Sequence, residues 1–222
     1  MERRELRELR DRRKLPYKKP HQEKDRVKRQ FIKKSRDLII LDVLSRGKPD
    51  ENKPTWARTP VAQVLTFPDF VLYEVKSNKN SNIQAPEKNT YENFLKDNKL
   101  REVLKKIDYN DLTNAAKALI QPILEKEVLN YEEDFVNFFN NSTSITPRMH
   151  ALKLIPGIGQ KHMWGILKER EKQKFTSFQD IAERTSISNP AKQMALRIIK
   201  ELQREDAKYY LFSKTKKYEK IA

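Results

Sequence analysis

The stretch Leu154-Ile155-Pro156-Gly157-Ile158-Gly159-Gln160-Lys161 decides how the C-terminal part of this chain folds. The whole chain has four glycines, and Gly157, Gly159 and Gly165 lie close together here. Glycine tolerates the backbone conformations of tight turns, so this concentration of glycines predicts a turn whose backbone geometry requires glycine. Residues 160–171 follow with helical spacing, and Met163, Trp164 and Leu167 are predicted to give that helix an apolar face.

The predicted turn places backbone N–H groups at the start of a helix. The first N–H groups of a helix lack intrahelical partners, and that end carries partial positive charge. Such an end binds phosphate, and Lys161 and His162 would add side-chain donors. Nothing in this arrangement reads bases. The alternative is a tight connection whose glycines only permit close helix packing.

A helix is also predicted before the turn. Thr146 is a residue type that caps a helix, and Pro147 suits the first helical position. We therefore expect a helix from this pair through Leu154.

A second hairpin is predicted further along the chain. Ser177 would cap a helix over 178–184, and Asn189 with Pro190 would open another that runs to Leu202. This unit lacks glycine, so we expect it to be structural or a weaker contact, with Asn189 and Lys192 as its candidate binding residues.

The charge of the chain is unevenly distributed. The 222 residues hold 47 Lys+Arg and 31 Asp+Glu, a formal net charge of +16. Residues 1–36 carry about +10 and 140–222 about +9, while the middle is near neutral. Two basic ends indicate a polyanionic partner: RNA, DNA or an anionic membrane surface. The alternative is a generally charged, soluble protein, which would also fit heat adaptation.

Residues 1–36 are predicted to form a basic arm, part-helical, that orders on a partner. The alternative is a disordered solubilising tail. Residues 213–222 form a second basic tail. The candidate contacts in the arm are Arg10, Arg12, Arg13, Lys14, Lys18 and Lys19.

Residues 37–107 are predicted to form a small β-barrel. The apolar run 38–41 is typical of a buried strand, and 60–65 and 70–75 have the composition of strands. Short strands spaced by turns favour a barrel. A barrel contact is predicted from Arg58 by charge and from Trp56 and Tyr73 by stacking. Ordinary barrel surface and core is the alternative.

Residues 108–144 are predicted to form a helical connector. Asp111 has the residue type of a helix N-cap, and apolar residues recur at helical spacing over 112–129. Pro122 predicts a break or a new start there. Residues 131–139 form a further predicted helix.

Several classes of protein are disfavoured by composition. The chain has no cysteine and three dispersed histidines, so no metal site is predicted. No apolar run reaches the roughly 20 residues needed to span a bilayer, and the charged start does not resemble a targeting signal. We predict a cytoplasmic monomer with no membrane partner.

Catalysis is not predicted either. Metal-assisted hydrolysis needs clustered carboxylates, and the candidate cluster is Glu132-Glu133-Asp134. Neighbouring residues on a helix face different directions, so a solvated helix face is the favoured interpretation. Phosphate-cradling loops and dinucleotide fingerprints are absent from the sequence. We therefore predict a non-catalytic protein without a cofactor.

Residues 152–161, in the form Leu-x-x-Ile-Pro-Gly-Ile-Gly-x-Lys, resemble the helix-hairpin-helix signature. That resemblance implies sequence-independent binding of a nucleic-acid backbone, sometimes with a monovalent cation held by hairpin carbonyls. The wider chain, over roughly 38–212, resembles the archaeal domain-of-unknown-function-655 family. This second resemblance rests on 41–44 with 47–49, 58–64, 109–113, 135–140, 145–150, and the hairpin with Met163-Trp164.

The family resemblance implies an α+β protein: an OB-like β-barrel followed by an all-α tandem helix-hairpin-helix domain at 145–212. It also implies an association with rRNA modification and translation, which favours RNA over DNA. The leading hypothesis is a non-catalytic RNA-binding protein acting on rRNA, the ribosome or its assembly. The alternatives are a DNA-binding repair or nuclease-type factor, and a protein–protein adaptor that uses the paired hairpins.

Overall fold

The computed structural model describes residues 37–49, 54–79, 81–205 and 208–213. The predicted basic arm, with Arg10, Arg12, Arg13, Lys14, Lys18 and Lys19, lies outside the described residues, as does the tail after Ser213. The described part is a mixed α/β structure with one five-stranded antiparallel sheet, one two-stranded ribbon and six α-helices. The predicted α+β class is confirmed at this level.

The large sheet is built from β1 (Asp37–Leu44), β2 (Val61–Phe67), β3 (Leu72–Ser77), β4 (Glu87–Asn89) and β5 (Leu100–Lys106). All neighbouring strands are antiparallel, in the order β4-β1-β2-β3-β5. The strands predicted within the first three of these elements are confirmed. In the described residues β4 and β5 form opposite edges of the sheet, so its closure into an OB-like barrel stays a prediction.

Both faces of the sheet are covered, which explains its nearly unbroken apolar strands. Every residue of β2 is buried. Ile40 and Val64 pack on one face with Phe94 of helix α1 (Tyr91–Lys96). Ile39 and Leu65 point to the other face and join the helical core. The central strands are therefore buried on both sides.

The other five helices belong to one continuous core with the second face of the sheet. They are α2 (Asn114–Asn130), α3 (Glu132–Asn141), α4 (Gln160–Lys172), α5 (Phe178–Arg184) and α6 (Pro190–Gln203). Buried side chains run without interruption from Ile39 through Leu124 and Ile166 to Ile198. Hydrophobic packing therefore crosses the predicted boundaries at residues 107 and 144. Of the helices in the described ranges, none is both long enough and apolar enough to cross a membrane.

Two predictions for α2 are wrong. Its N-cap is Thr113, whose hydroxyl accepts the N–H of Ala116 at 3.1 Å, whereas the Asp111 carboxylate accepts the N–H of Asp108 at 3.1 Å in a preceding 3-10 turn. The helix also continues through Pro122. Pro122 is exposed, so the carbonyl that its missing N–H leaves free can face water.

The helix predicted from Thr146 through Leu154 is also wrong. The chain forms a short ribbon of β6 (Ser144–Thr146) and β7 (Met149–His150), followed by a 3-10 helix at Ala151–Leu154. Thr-Pro suits the corner of a β-turn as well as a helix start. Long-range pairing decided between them: the N–H of Ala151 donates to the carbonyl of Thr143 at 3.0 Å.

Buried polar contacts fix α2 against the sheet. Gln63 of β2 is fully buried; its amide donates to the carbonyl of Asp111 and accepts the N–H of Thr113, both at 2.9 Å. The Thr113 hydroxyl also donates to Asp42 of β1 at 2.6 Å. The start of α2 is thereby tied to two central strands.

A second polar cluster joins the far end of α2 to the sheet edge. Lys88 of β4 contacts Glu127 at 2.6 Å and Asp37 at 3.3 Å, and the Tyr131 hydroxyl donates to Asp37 at 2.8 Å. Burial by itself lowers the pKa of Lys88, but the hydrogen bond and charge of Glu127 and the charge of Asp37 raise it above its ordinary value overall. Lys88 therefore remains charged and holds the two carboxylates together.

The most buried polar contact lies in the helical half. Arg197 and Glu201 of α6 are fully buried and pair at 2.9 Å. Arg197 also donates to the carbonyl of Leu154 at 3.2 Å, and Glu201 accepts N–H groups of residues 211–213 at 2.7 to 3.0 Å. The Ser213 hydroxyl then donates to the carbonyl of Phe70 at 2.9 Å. One ion pair thus links α6, the 3-10 helix and, through Ser213, the connection between β2 and β3.

Replacing Arg197 with methionine should lower the free energy of unfolding by about 3–5 kcal/mol, because it leaves the Glu201 carboxylate buried without its cation. Urea denaturation measures the change. The control is Lys200→Met on the same helix, where a half-exposed lysine lies 4.0 Å from Glu205. That change should stay within about 0.5 kcal/mol. Equal effects of the two variants would contradict the assigned role.

Candidate nucleic-acid interface

The predicted turn is a hydrogen-bonded β-turn with a glycine in the left-handed region. The N–H of Ile158 donates to the carbonyl of Ile155 at 3.0 Å. Pro156 and Gly157 are the central residues, and Gly157 has φ +82°. This is the pattern of a type II turn, which needs positive φ at its third residue. A Cβ at Gly157 would also lie 3.1 Å from the Gln193 amide nitrogen of α6.

The other two glycines of the cluster have no such requirement. Gly159 is the N-cap of α4 with φ −84°, and Gly165 lies within the helix. A Cβ at either position would meet nothing within 4 Å. Of the three clustered glycines, Gly157 alone has the positive φ that favours glycine. The sequence prediction of a turn that requires glycine is therefore correct at this one position. At Gly159 the lack of a side chain leaves the N-terminus of α4 open.

The N-terminus of α4 is uncapped. The backbone N–H groups of Gln160, Lys161 and His162 have no acceptor among the described residues, and the helix has no side-chain cap and no acidic residue in its first turn. By contrast, Thr90, Thr113, Ser177 and Asn189 cap α1, α2, α5 and α6, and α3 begins with three acidic residues. Among the described helices, α4 alone presents a bare positive end.

The side chains around this end divide into anchors and exposed groups. Ile158 is buried and holds the turn to the core, while Pro156 is half-buried. Gly157, Gly159, Gln160 and Lys161 are exposed. Within the described ranges Lys161 has no carboxylate partner. Its ammonium is therefore available beside the open N–H groups.

The ring of His162 makes a contact within the turn. Its Nδ1 lies 2.8 Å from the carbonyl of Gly157, and since a carbonyl only accepts, Nδ1 carries the proton. In the neutral ring Nε2 is then an acceptor, so it cannot donate to a phosphate. His162 closes the turn instead.

The predicted hairpin carbonyls are partly occupied as well. The carbonyl of Ile155 accepts the N–H of Ile158, and that of Gly157 accepts the His162 ring. Both oxygens keep a second lone pair. The monovalent cation that the motif implies stays a prediction.

The first turns of α6 lie against the glycine turn. Asn189 is the N-cap of α6, as predicted, and its side chain accepts the N–H of Lys192 at 2.9 Å. That oxygen is therefore engaged within the helix, whereas the Lys192 side chain is exposed. The next residue, Gln193, contacts Gly157. The structure thus brings the start of α6, which carries Lys192, close to the glycine turn.

The contact predicted in the sheet half is not assembled as expected. Tyr73 is only 8% exposed and packs inside the sheet cluster with Phe94, so it cannot stack on a ligand. Arg58 is half-buried in the β1–β2 connection, where a Cβ added at Gly47 (φ +68°) would lie 2.9 Å from the Arg58 Cβ. The Trp56 side chain lies outside the described part.

Trp164 is more exposed than its place on the predicted apolar face indicates. It was predicted to share an apolar face with Met163 and Leu167, yet it is 59% exposed, whereas Met163 is buried. Helical periodicity places Trp164 beside Lys161 and Lys168, and this spacing was the signal in the sequence.

A cavity adjoins the turn. Pro156 lines a space of about 340 Å³ between α2 and α6. Its wall includes Tyr109, with Lys117 5.8 Å above the ring centroid, and its rim includes Lys200. Glu205 also lines it and offsets part of the positive charge. The surface around this cavity therefore carries two lysines and one glutamate.

Part of the acidic run at residues 132–134 has a structural role. The Glu132 carboxylate accepts the N–H of Phe178 at the start of α5. In the described part of the chain, no three histidine or acidic residues converge as metal ligands.

Residues 34–214 match the model of a family described as "Protein of unknown function (DUF655)". The chain belongs to this family. The DUF655 protein is 40% identical over 179 residues to the uncharacterized protein MJ0038 of Methanocaldococcus jannaschii, covering 80% of this chain and 79% of that one. It also resembles the crystal structure of Af1531 from Archaeoglobus fulgidus, with a TM-score of 0.70 and 35% identity over 81% of this chain and 99% of that chain. Both relatives are archaeal, and the predicted family resemblance is confirmed.

Gly157→Ala should lower the free energy of unfolding of the DUF655 protein by about 1–2 kcal/mol, because alanine is strained at positive φ. Gly165→Ala, in open space within a helix, should raise it by roughly 0.5–1 kcal/mol. Chemical denaturation of both variants tests the assignment. A loss of stability at Gly165 equal to that at Gly157 would contradict it.

The stability of the DUF655 protein should also depend on His150. Burial and the nearby charge of Arg170 lower its pKa from 6.5, and its Nδ1 accepts the N–H of Leu152 at 3.1 Å. The unfolded chain then binds this proton more readily, so the free energy of unfolding falls as pH drops below 6.5. His150→Gln should flatten this decline in urea titrations between about pH 7 and 5. An unchanged decline would assign it to other groups.

Proposed function

We propose that this DUF655 protein is a non-catalytic nucleic-acid-binding protein that holds a phosphate backbone at the start of α4. The carrying observation is the bare N-terminus of α4, with three free N–H groups and neither a cap nor an acid in its first turn. An oxyanion there would complete the hydrogen bonding of the helix end. We assign the turn and α4 as the core of a helix-hairpin-helix.

The surrounding charge supports this proposal. Lys161 adds a cation beside the free N–H groups, and Lys192 adds one at the start of α6. The net charge of +16 would draw a polyanion towards the protein. Release of counterions should then make binding weaken with salt, with a log–log slope of about −0.7 to −0.9 per phosphate contacted.

The proposed partner is RNA in preference to DNA, in the context of rRNA, the ribosome or its assembly. This preference comes from the family resemblance. The paired hairpins would supply backbone affinity without base readout, and an OB-like sheet and the basic arm would contribute contacts beyond them. Cytoplasmic location and a monomeric state belong to the same proposal.

Gly159→Asp separates binding from folding. Aspartate is a preferred N-cap and is favoured by the helix dipole, and a side chain meets nothing within 4 Å here. The variant should be as stable as the parent or more so, by up to about 1 kcal/mol. It should bind RNA at least roughly tenfold more weakly, because its carboxylate occupies the same N–H groups and repels phosphate. Fluorescence anisotropy with a labelled RNA measures the affinity.

The matched control is Asn114→Asp at the first position of α2, which is exposed and lies in a first turn without acids. It makes the same change in net charge at the start of another helix and should leave affinity within about twofold, since it does not occupy the N–H groups at the start of α4 and salt weakens the effect of an exposed charge. Unchanged RNA and DNA binding by a folded Gly159→Asp protein would remove the proposal. Equal loss of affinity in both variants would point to net charge alone.

A further inference from the structure

Trp164 of α4 is the large aromatic side chain that the described part of the chain leaves exposed. It is 59% exposed, and its ring makes no aromatic, cation or hydrogen-bond contact with the described residues. Phe175 and Phe178, which follow the same helix, are buried. A large flat ring left in water on one helix face needs a ligand or partner to account for it.

The setting of this ring is cationic. Lys161 lies one turn before Trp164 and Lys168 one turn after, and both are exposed on the same face. The first two turns of α4, residues 160–167, contain no acid. Gly165 beside the ring leaves open space, with nothing within 4 Å of where a Cβ would stand. The surface is thus a flat aromatic ring between two cations, which suits a polyanion that carries planar rings.

The distance from the bare helix end also fits one strand of nucleic acid. Trp164 lies four residues beyond Gln160, which is about 6 Å along the helix axis. Phosphates on one strand of a duplex are spaced by about 3.4 Å along its axis. A phosphate at the N-terminus of α4 and a base on the ring can therefore belong to the same strand, within about two nucleotides of each other. The faces of a paired base inside a duplex are covered by its neighbours, so only an unpaired or terminal base can stack there.

We propose that Trp164 is a stacking platform for an unpaired base of the nucleic acid whose phosphate is held at the start of α4. This inference rests on the proposed function and names its ligand class: a nucleic acid with a single-stranded segment or an open helix end. Lys161 and Lys168 hold the phosphates on either side of the stacked base. The ring contributes affinity without reading sequence, because every base has a π-face.

The chain has two tryptophans, so a Trp56→Phe background makes Trp164 the sole indole fluorophore. We expect its emission to be quenched by a single-stranded RNA oligonucleotide and to change little with a blunt duplex of equal length. Trp164→Leu should weaken single-strand binding by roughly 5- to 150-fold, the effect of removing one stacked base, while duplex binding changes less than twofold. Trp164→Phe, which keeps an aromatic face, should retain most of the affinity. Leucine at this exposed position should leave the denaturation midpoint unchanged.

The outcomes separate the two proposals. If Gly159→Asp weakens binding but Trp164→Leu leaves single-strand affinity unaltered, the stacking inference is wrong and the phosphate site stands. Equal losses for single strand and duplex in Trp164→Leu would also overturn it, since a general contact does not distinguish unpaired bases. If the parent protein binds neither RNA nor DNA, the proposed function itself fails. If Trp164→Leu abolishes binding of a protein partner and leaves RNA and DNA binding unaltered, this face has an adaptor role and the inference is wrong.

Discussion

The arrangement of the helical half depends on the buried ion pair of Arg197 and Glu201. Both side chains are fully excluded from water, which is costly unless every charge is paired and hydrogen-bonded. The contacts are supplied by distant parts of the chain: the carbonyl of Leu154, the carbonyl of Tyr209 and the N–H groups of residues 211–213. Because the pair is satisfied only when these segments meet, it specifies how α6, the hairpin and the C-terminal segment pack together.

That constraint places the glycine turn. The carbonyl held by Arg197 belongs to Leu154, the residue before the turn begins, and Gly157 rests against Gln193 on the same helix. Ile158 is buried at the end of the turn. The turn is therefore anchored on both sides while the start of α4 stays open. Without a cap, α4 lacks up to about 1 kcal/mol of stability that a capping residue would add. Such locally unfavourable features are expected at functional sites.

The elements predicted best were those with strong local signals. The strands within β1, β2 and β3 followed from apolar runs, and the starts of α5 and α6 from Ser177 and from Asn189 with Pro190. Predictions failed where one local signal suits two structures. Thr146-Pro147 fits a helix start and a β-turn equally, and the pairing of Ala151 with Thr143 chose the latter. Pro122 lowers helix propensity, but packing of α2 against the sheet overrides it.

The sequence by itself determined the turn, because Pro156 fixes its own φ near the value that a type II turn needs and Gly157 tolerates the positive φ that follows. It also determined the basic character of the chain and the presence of a helix after the turn. Tertiary structure decided which side chains remain free. Trp164 faces water because Met163 and Ile166 take the buried side of α4, and His162 is drawn to the carbonyl of Gly157. Periodicity gives a helix its possible faces, but only contacts from residues distant in sequence select the one that is buried.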